Sequence, residues 1–202
     1  MIRSLFSTPI YGNQILGSRL QEVNQELHSK YATLDKVRKK TTQNLETCHD
    51  VTKSKGAPMF SENVINDCPK FSKFLRESME EYFNELGYSP FPYKLTSSWF
   101  TRTLQGKHAP VHSHCGSDIS GVYYLQTNGR DGVLSLRNPF FAANGNFIYF
   151  LQNHYHKQGQ FEVPLIEGAL TMWPSTIEHT TYVNTTTHER ISLSFNITIS
   201  RF

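Results

Sequence analysis

Arg190-Ile-Ser-Leu-Ser-Phe-Asn-Ile-Thr-Ile199 alternates apolar and polar side chains along its length, the period of a strand with one face on a core. Ile191, Leu193 and Phe195 take one side, and Arg190, Ser192, Ser194 and Asn196 take the other. If the polar row faces a pocket, Arg190 and Ser192 can share one carboxylate, the guanidinium bidentately and the hydroxyl as a further donor. On a sheet rim the same arginine would be an ordinary surface charge.

Short apolar runs of the same kind extend upstream over 179–184, 168–173, 147–151, 133–137, 119–126 and 95–103. Turn residues separate them, with Asn128-Gly129 and Asp131-Gly132 as the strongest hairpin signals. Before Pro90 the period is helical. Residues 18–31 place Leu20, Val23, Leu27 and Tyr31 at helical spacing behind Ser18, a capping residue. Pro69 opens a second helix whose face of Phe71, Phe74, Leu75, Met79, Tyr82, Phe83 and Leu86 ends at Gly87. Residues 41–60 are polar and weakly periodic and read as a connection. Helices first and strands after predict a mainly β chain with N-terminal helices, a double-stranded β-helix (jelly roll, cupin-like). The expected division is one domain over 1–202, with 1–90 as a helical support segment and 91–202 as the jelly-roll core.

Composition narrows the function classes. At 202 residues, 38% hydrophobic and 18% charged, the chain can bury its own core, and a formal charge of +3 argues against a nucleic-acid partner. The basic run Lys36 to Lys40 reads as a solvated helix end. Three widely spaced cysteines, Cys48, Cys68 and Cys115, fit reduced thiols in a cytoplasm. No run has the length of a membrane span, and the start lacks the pattern of a signal peptide, so no membrane partner is expected.

The chemistry concentrates in Gly106-Lys-His-Ala-Pro-Val-His112-Ser-His114-Cys-Gly-Ser-Asp118, between two predicted strands. On an extended backbone His112 and His114 point to the same side and can present two imidazoles to one ion. Neutral imidazole suits iron, zinc, copper and nickel alike, so the spacing names no metal. His179, which starts a strand, is the candidate third ligand. Cys115 should point away from its neighbours and reads as a buried structural cysteine. His108, His154, His156 and His188 read as surface or loop residues, although His154 and His156 repeat the ligand spacing.

These residues carry a resemblance to the iron(II)- and 2-oxoglutarate-dependent oxygenase superfamily, and within it to the small oxygenases encoded by bacteria and phages. It runs through Leu5-Phe6-Ser7-Thr8-Pro9-Ile10-Tyr11, Ser98-Trp99, His112-x-His114 and Ser120-Gly-Val-Tyr-Tyr-Leu125. It continues through Gly168-x-Leu170-x-Met172-Trp173-Pro174-Ser175, His179 and Arg190-Ile-Ser-x-Ser-Phe-Asn196. Phe140 to Phe161 fits least well. The resemblance implies a jelly roll holding Fe(II) on His112, His114 and His179, with 2-oxoglutarate and O2 as co-substrates. Arg190 and Ser192 would take the distal carboxylate of 2-oxoglutarate, with Tyr124 as a second donor, and Trp99 and Asn196 would line the pocket. The expected outcome is hydroxylation with release of succinate and carbon dioxide, in the cytoplasm of a bacterium or of a phage's host.

The superfamily's usual His-x-Asp is His-x-His in this sequence, so the carboxylate ligand is missing. Asp118 is the nearest acid and reads as a ligand, a partner to a ligand, or a turn residue. His114 can also be read as the first ligand, with Gly116 at the acid position. The same segments approximate the two cupin motifs, through Gly106, His112, His114 and Asp118 and then Gly168, Pro174 and His179. A cupin-type metalloprotein, either a 2-oxoglutarate-independent dioxygenase or a binding protein, is the competing reading. The substrate, whether small molecule or protein side chain, and the oligomeric state are not written in these patterns.

Overall fold

The structure, a computed structural model, describes residues 8–38, 47–48, 63–89, 92–140 and 159–200. The expected strand at 147–151, Leu5 to Ser7, and the pair His154 and His156 lie outside them.

Two helices precede most of the strands. Helix α1 runs Gly17–Arg38 and α2 runs Pro69–Glu85, with a 3-10 turn at Val64–Asp67 between them among the described residues. The Glu26 carboxylate of α1 accepts the backbone N–H groups of Lys70 and Phe71, filling donors that the first turn of α2 leaves open. Gly87 ends that helix at φ +78°, with Gly87 N–H on Asn84 O and Tyr88 N–H on Phe83 O. This is the double hydrogen bond of a left-handed C-terminal cap.

The strands are β1 (Tyr11–Gln14), β2 (Thr47–Cys48), β3 (Tyr93–Thr103), β4 (Ile119–Gln126), β5 (Leu134–Arg137), β6 (Gln160–Val163), β7 (Ala169–Pro174), β8 (His179–Thr181) and β9 (Arg190–Ile199). They form a larger sheet in the order β1-β7-β4-β9-β3-β2 and a smaller one in the order β6-β5-β8, with antiparallel pairing throughout.

The larger sheet is the middle of three layers. Ile191, Leu193, Phe195 and Ile197 of β9, with Tyr123 and Leu125 of β4, pack on Phe71, Phe74, Leu75 and Met79 of α2 and on Val23, Leu27 and Leu34 of α1. Phe195 lies so close to β4 that a Cβ on Gly121 would sit 2.3 Å from its ring. The opposite face meets the smaller sheet through Val122, Tyr124 and Trp173 against Leu134, Leu136 and Val163. Between the layers is a cavity of about 400 Å³.

The smaller sheet gains a lane from a segment outside the regular strands. Residues 107–114 run antiparallel to 179–184: Asn184 N–H bonds Lys107 O, Thr181 N–H bonds Ala109 O, and His112 and His179 exchange both backbone hydrogen bonds at 3.0 and 2.8 Å. That exchange makes the two histidines direct cross-strand neighbours.

Candidate active site

Each histidine reaches the cavity from a different kind of support. His179 opens β8 and is 5% exposed; His112 lies across from it, and His114 follows two residues later, fastened by its N–H to Ser175 O. Their ring centroids are 4.2 Å apart for His112 and His179, and 5.1 Å for each of the other two pairs. One nitrogen from each lies within 4.8 Å of the others, compact enough for a single ion.

The second ring nitrogens settle the tautomers. Nδ1 of His112 faces Pro110 O at 2.8 Å, Nδ1 of His179 faces Ile177 O at 3.0 Å, and Nδ1 of His114 faces Asn196 Oδ1 at 2.6 Å. Those oxygens only accept, so each Nδ1 carries the proton and each Nε2 keeps a lone pair for a metal. Asn196 is itself oriented, its Oδ1 accepting from Ser120 Oγ at 2.8 Å and its Nδ2 donating to Ser97 Oγ at 3.0 Å. Burial pushes His179 down to about 4 and lowers His114 as well, helped in each case by neighbouring imidazoles. Both rings are therefore neutral at pH 7, the form that ligates.

The other end of the cavity is built for an anion. Arg190, 2% exposed, lines the wall with Ser192, Ser194 and Tyr124. Its Nη1 donates to Gly132 O and its Nη2 to Thr103 Oγ1 at 2.9 Å, while Nε has no partner. Tyr124 Oη is also buried without a partner, and burial raises its pKa, so the phenol keeps a proton to donate. A buried guanidinium beside an unused hydroxyl donor is costly unless something negative joins them. A carboxylate meets that need.

Trp99 lines the cavity against His114 at 5.6 Å, and Trp173 stands edge-on to His179 at 5.2 Å with its Nε1 unpartnered. Asn196 stands behind His114 instead of forming the wall. Asp118 is not in the histidine group: its Oδ2 accepts Ile199 N–H at 2.7 Å, tying the turn before β4 to the end of β9. Of its three readings, the turn role matches this contact. Cys115 is not buried as expected: it is exposed on the turn before β4, with Sγ 3.2 Å from Ser113 Oγ. His108 lies at the cavity mouth beside Lys107, and His188 is not a plain surface residue, because its Nδ1 bonds Asp131. In the sequence Trp173 stood out only within the resemblance and Asp131 only as a turn residue, and Thr103 was not singled out. Thr103 is in phase with Trp99 and Thr101 along β3, and that alternation was the available signal.

Residues 97–196 match the family model described as "Putative 2OG-Fe(II) oxygenase". The chain belongs to the iron(II)- and 2-oxoglutarate-dependent oxygenases. Iron(II) is the cofactor of this oxygenase, and 2-oxoglutarate and O2 are its co-substrates. Its fold is that of HygX from Streptomyces hygroscopicus with nickel and 2-oxoglutarate bound, at 13% identity and TM-score 0.61, covering 96% of this chain and 84% of that one. AviO1 from Streptomyces viridochromogenes is similar at 9% identity and TM-score 0.59, covering 95% and 90%. So is SnoN, a non-heme alpha ketoglutarate dependent epimerase from nogalamycin biosynthesis, at 11% identity and TM-score 0.59, covering 95% and 78%. No curated protein matches the sequence. No helix among the described residues of the oxygenase is long and apolar enough to cross a membrane.

Proposed function

We propose that this oxygenase is a double-stranded β-helix hydroxylase, one domain over its whole length, that holds iron on His112, His114 and His179 and 2-oxoglutarate between that ion and Arg190. The observation that carries the reading is a single cavity with three imidazoles presenting Nε2 at one end and a buried, incompletely paired guanidinium at the other. The donor set fits the cofactor, since neutral imidazole is a ligand for non-haem iron. Bound iron supplies the activation of O2 that couples oxidation of 2-oxoglutarate, to succinate and carbon dioxide, to oxidation of a substrate.

The chain's own residues bind, orient and shield. Pro110 O, Ile177 O and Asn196 Oδ1 hold the three rings in the ligating tautomer. Arg190 receives the distal carboxylate, with Tyr124 Oη and Ser192 Oγ as further donors, which fixes the length and direction of the 2-oxo acid. Trp99 and Trp173 crowd two of the rings and keep bulk water off that side of the centre. Three neutral imidazoles leave the ion's charge uncancelled by protein, so the 2-oxo acid supplies the only negative charge in the set.

The test is anaerobic loading with iron(II), measurement of metal content, then exposure to O2 with 2-oxoglutarate. One ion per chain and succinate release are expected. Metal without succinate, alone or across a panel of small molecules and peptides, would instead favour the cupin-type reading. A gain of one oxygen atom in the product separates hydroxylation from the epimerisation named for SnoN.

A further inference from the structure

Arg190 does not choose its own direction, because its charged head is held from two sides, by the turn before β5 and by the end of β3. Nη1 is tied to Gly132 O and lies 3.4 Å from Asp131 O, while Nη2 is tied to Thr103 Oγ1. With Nη1 consumed, the edge left for a carboxylate is the one formed by Nε and the second hydrogen of Nη2.

Both anchors are themselves fixed by one polar ring of contacts. Asp131 is fully buried, and its carboxylate accepts from Thr127 Oγ1 at 2.6 Å, Asn128 N–H at 2.9 Å and His188 Nδ1 at 2.9 Å. These contacts close the turn from Thr127 to Gly132. Gly132 has φ +97°, and a Cβ added there would meet Tyr182 O at 2.5 Å and Arg190 Nη1 at 3.3 Å, so only glycine can present this carbonyl to the guanidinium. His188, from the loop before β9, is held in turn by Asn184 Nδ2, which donates to His188 O at 2.7 Å and to Thr103 O at 3.0 Å. The chain of contacts thus runs from Gly132 through Asp131, His188 and Asn184 to Thr103, with Arg190 at its centre.

We infer that Asp131 and His188 are positioning residues for 2-oxoglutarate, which act by fixing the edge that Arg190 turns to the cavity. The inference rests on the proposed role of Arg190. Asp131 adds a second effect, since a buried carboxylate so near Arg190 limits how far burial disfavours the guanidinium's charge.

The experiment measures 2-oxoglutarate affinity and iron affinity separately, by anaerobic calorimetry, in the wild type, Asp131→Asn, His188→Ala and His188→Asn. Asp131→Asn is expected to weaken 2-oxoglutarate binding by about tenfold or more while iron binding stays as in the wild type. His188→Ala should act in the same direction and less strongly, and His188→Asn, which keeps a side-chain donor, should recover part of the loss. A merely structural role would instead lower the melting temperature and leave both affinities intact in the folded protein. That result overturns the inference, as does wild-type 2-oxoglutarate affinity in His188→Ala should Asp131→Asn fail to fold. A wild-type protein with iron bound and no affinity for 2-oxoglutarate would sink the proposed function itself.

Discussion

The two ends of the cavity are preorganised in opposite ways. At the histidine end every Nδ1 is satisfied by a carbonyl oxygen and each ring keeps one lone pair open, with the unpartnered Nε1 of Trp173 near His179. At the arginine end the unsatisfied groups are donors, Arg190 Nε and Tyr124 Oη, both buried. One end offers lone pairs, which suit a cation, and the other offers donors, which suit an anion. A molecule with a chelating head and a carboxylate tail completes both once a metal is in place, which is why the pair of ends says more than either alone.

The largest expected effect comes from breaking the ends one at a time. His179→Ala removes the most buried of the three imidazoles and should cost at least about a hundredfold in iron affinity, read as metal content after dialysis. Arg190→Ala should leave metal content unchanged and weaken 2-oxoglutarate binding by a similar factor, because it deletes the buried charge proposed to meet the distal carboxylate. Arg190→Lys should rescue little, since an ammonium cannot offer the planar pair of donors. Equal loss of metal in the two alanine variants would show that the ends are not separable.

A smaller effect divides the ends by pH. His179 is pushed down to about 4 from an ordinary 6.5, and His114 moves in the same direction. A base whose folded pKa is depressed takes up its proton more readily in the unfolded chain. Stability of the metal-free protein is therefore complete above about pH 6.5 and declines as pH falls from there towards 4. The size is between about 1 and 3 kcal/mol. Thermal melts of the metal-free protein across that window check it, and a flat profile would mean that the rings are better solvated than their burial implies.

The sequence carried the two ends unequally. The alternation in β9 put Arg190 and Ser192 in one row, and the structure has that row facing the cavity, because a period of two leaves no other choice once Ile191, Leu193 and Phe195 are in the core. The change of period also made α1 and α2 legible ahead of β3, whereas β1 and β2, which lie before and between the helices, were not read as strands. The lane at residues 107–114 was not: its pairing with 179–184 depends on backbone hydrogen bonds, and Ala109, Pro110 and Val111 show no alternation. Helix α1 continues past Tyr31 to Arg38, and Leu34, on the face of Leu27 and Tyr31, was the signal for that extension. The contact of Asp118 with Ile199 N–H and that of His188 with Asp131 each join positions more than fifty residues apart. Spacing cannot reveal such pairs, whereas Thr103 sat in phase with Trp99, already singled out.

The smallest expected effect tests whether the histidine end owes its order to a neighbour that is not a ligand. Asn196→Ala removes the acceptor at 2.6 Å from His114 Nδ1 and leaves Ser120 Oγ, at 3.2 Å, as the remaining partner of that nitrogen. A serine hydroxyl both donates and accepts, so it no longer forces the proton onto Nδ1, and some of the His114 population presents the wrong tautomer to the ion. Iron affinity should fall by about tenfold, with 2-oxoglutarate affinity of the loaded protein nearly unchanged. Asn196→Ser, which restores a shorter oxygen without the fixed acceptor character, should lie between the two. Should Asn196→Ala instead weaken 2-oxoglutarate and spare iron, residue 196 would belong to the wall of the cavity, and the order at the histidine end would have to come from the backbone carbonyls of Pro110 and Ile177 alone.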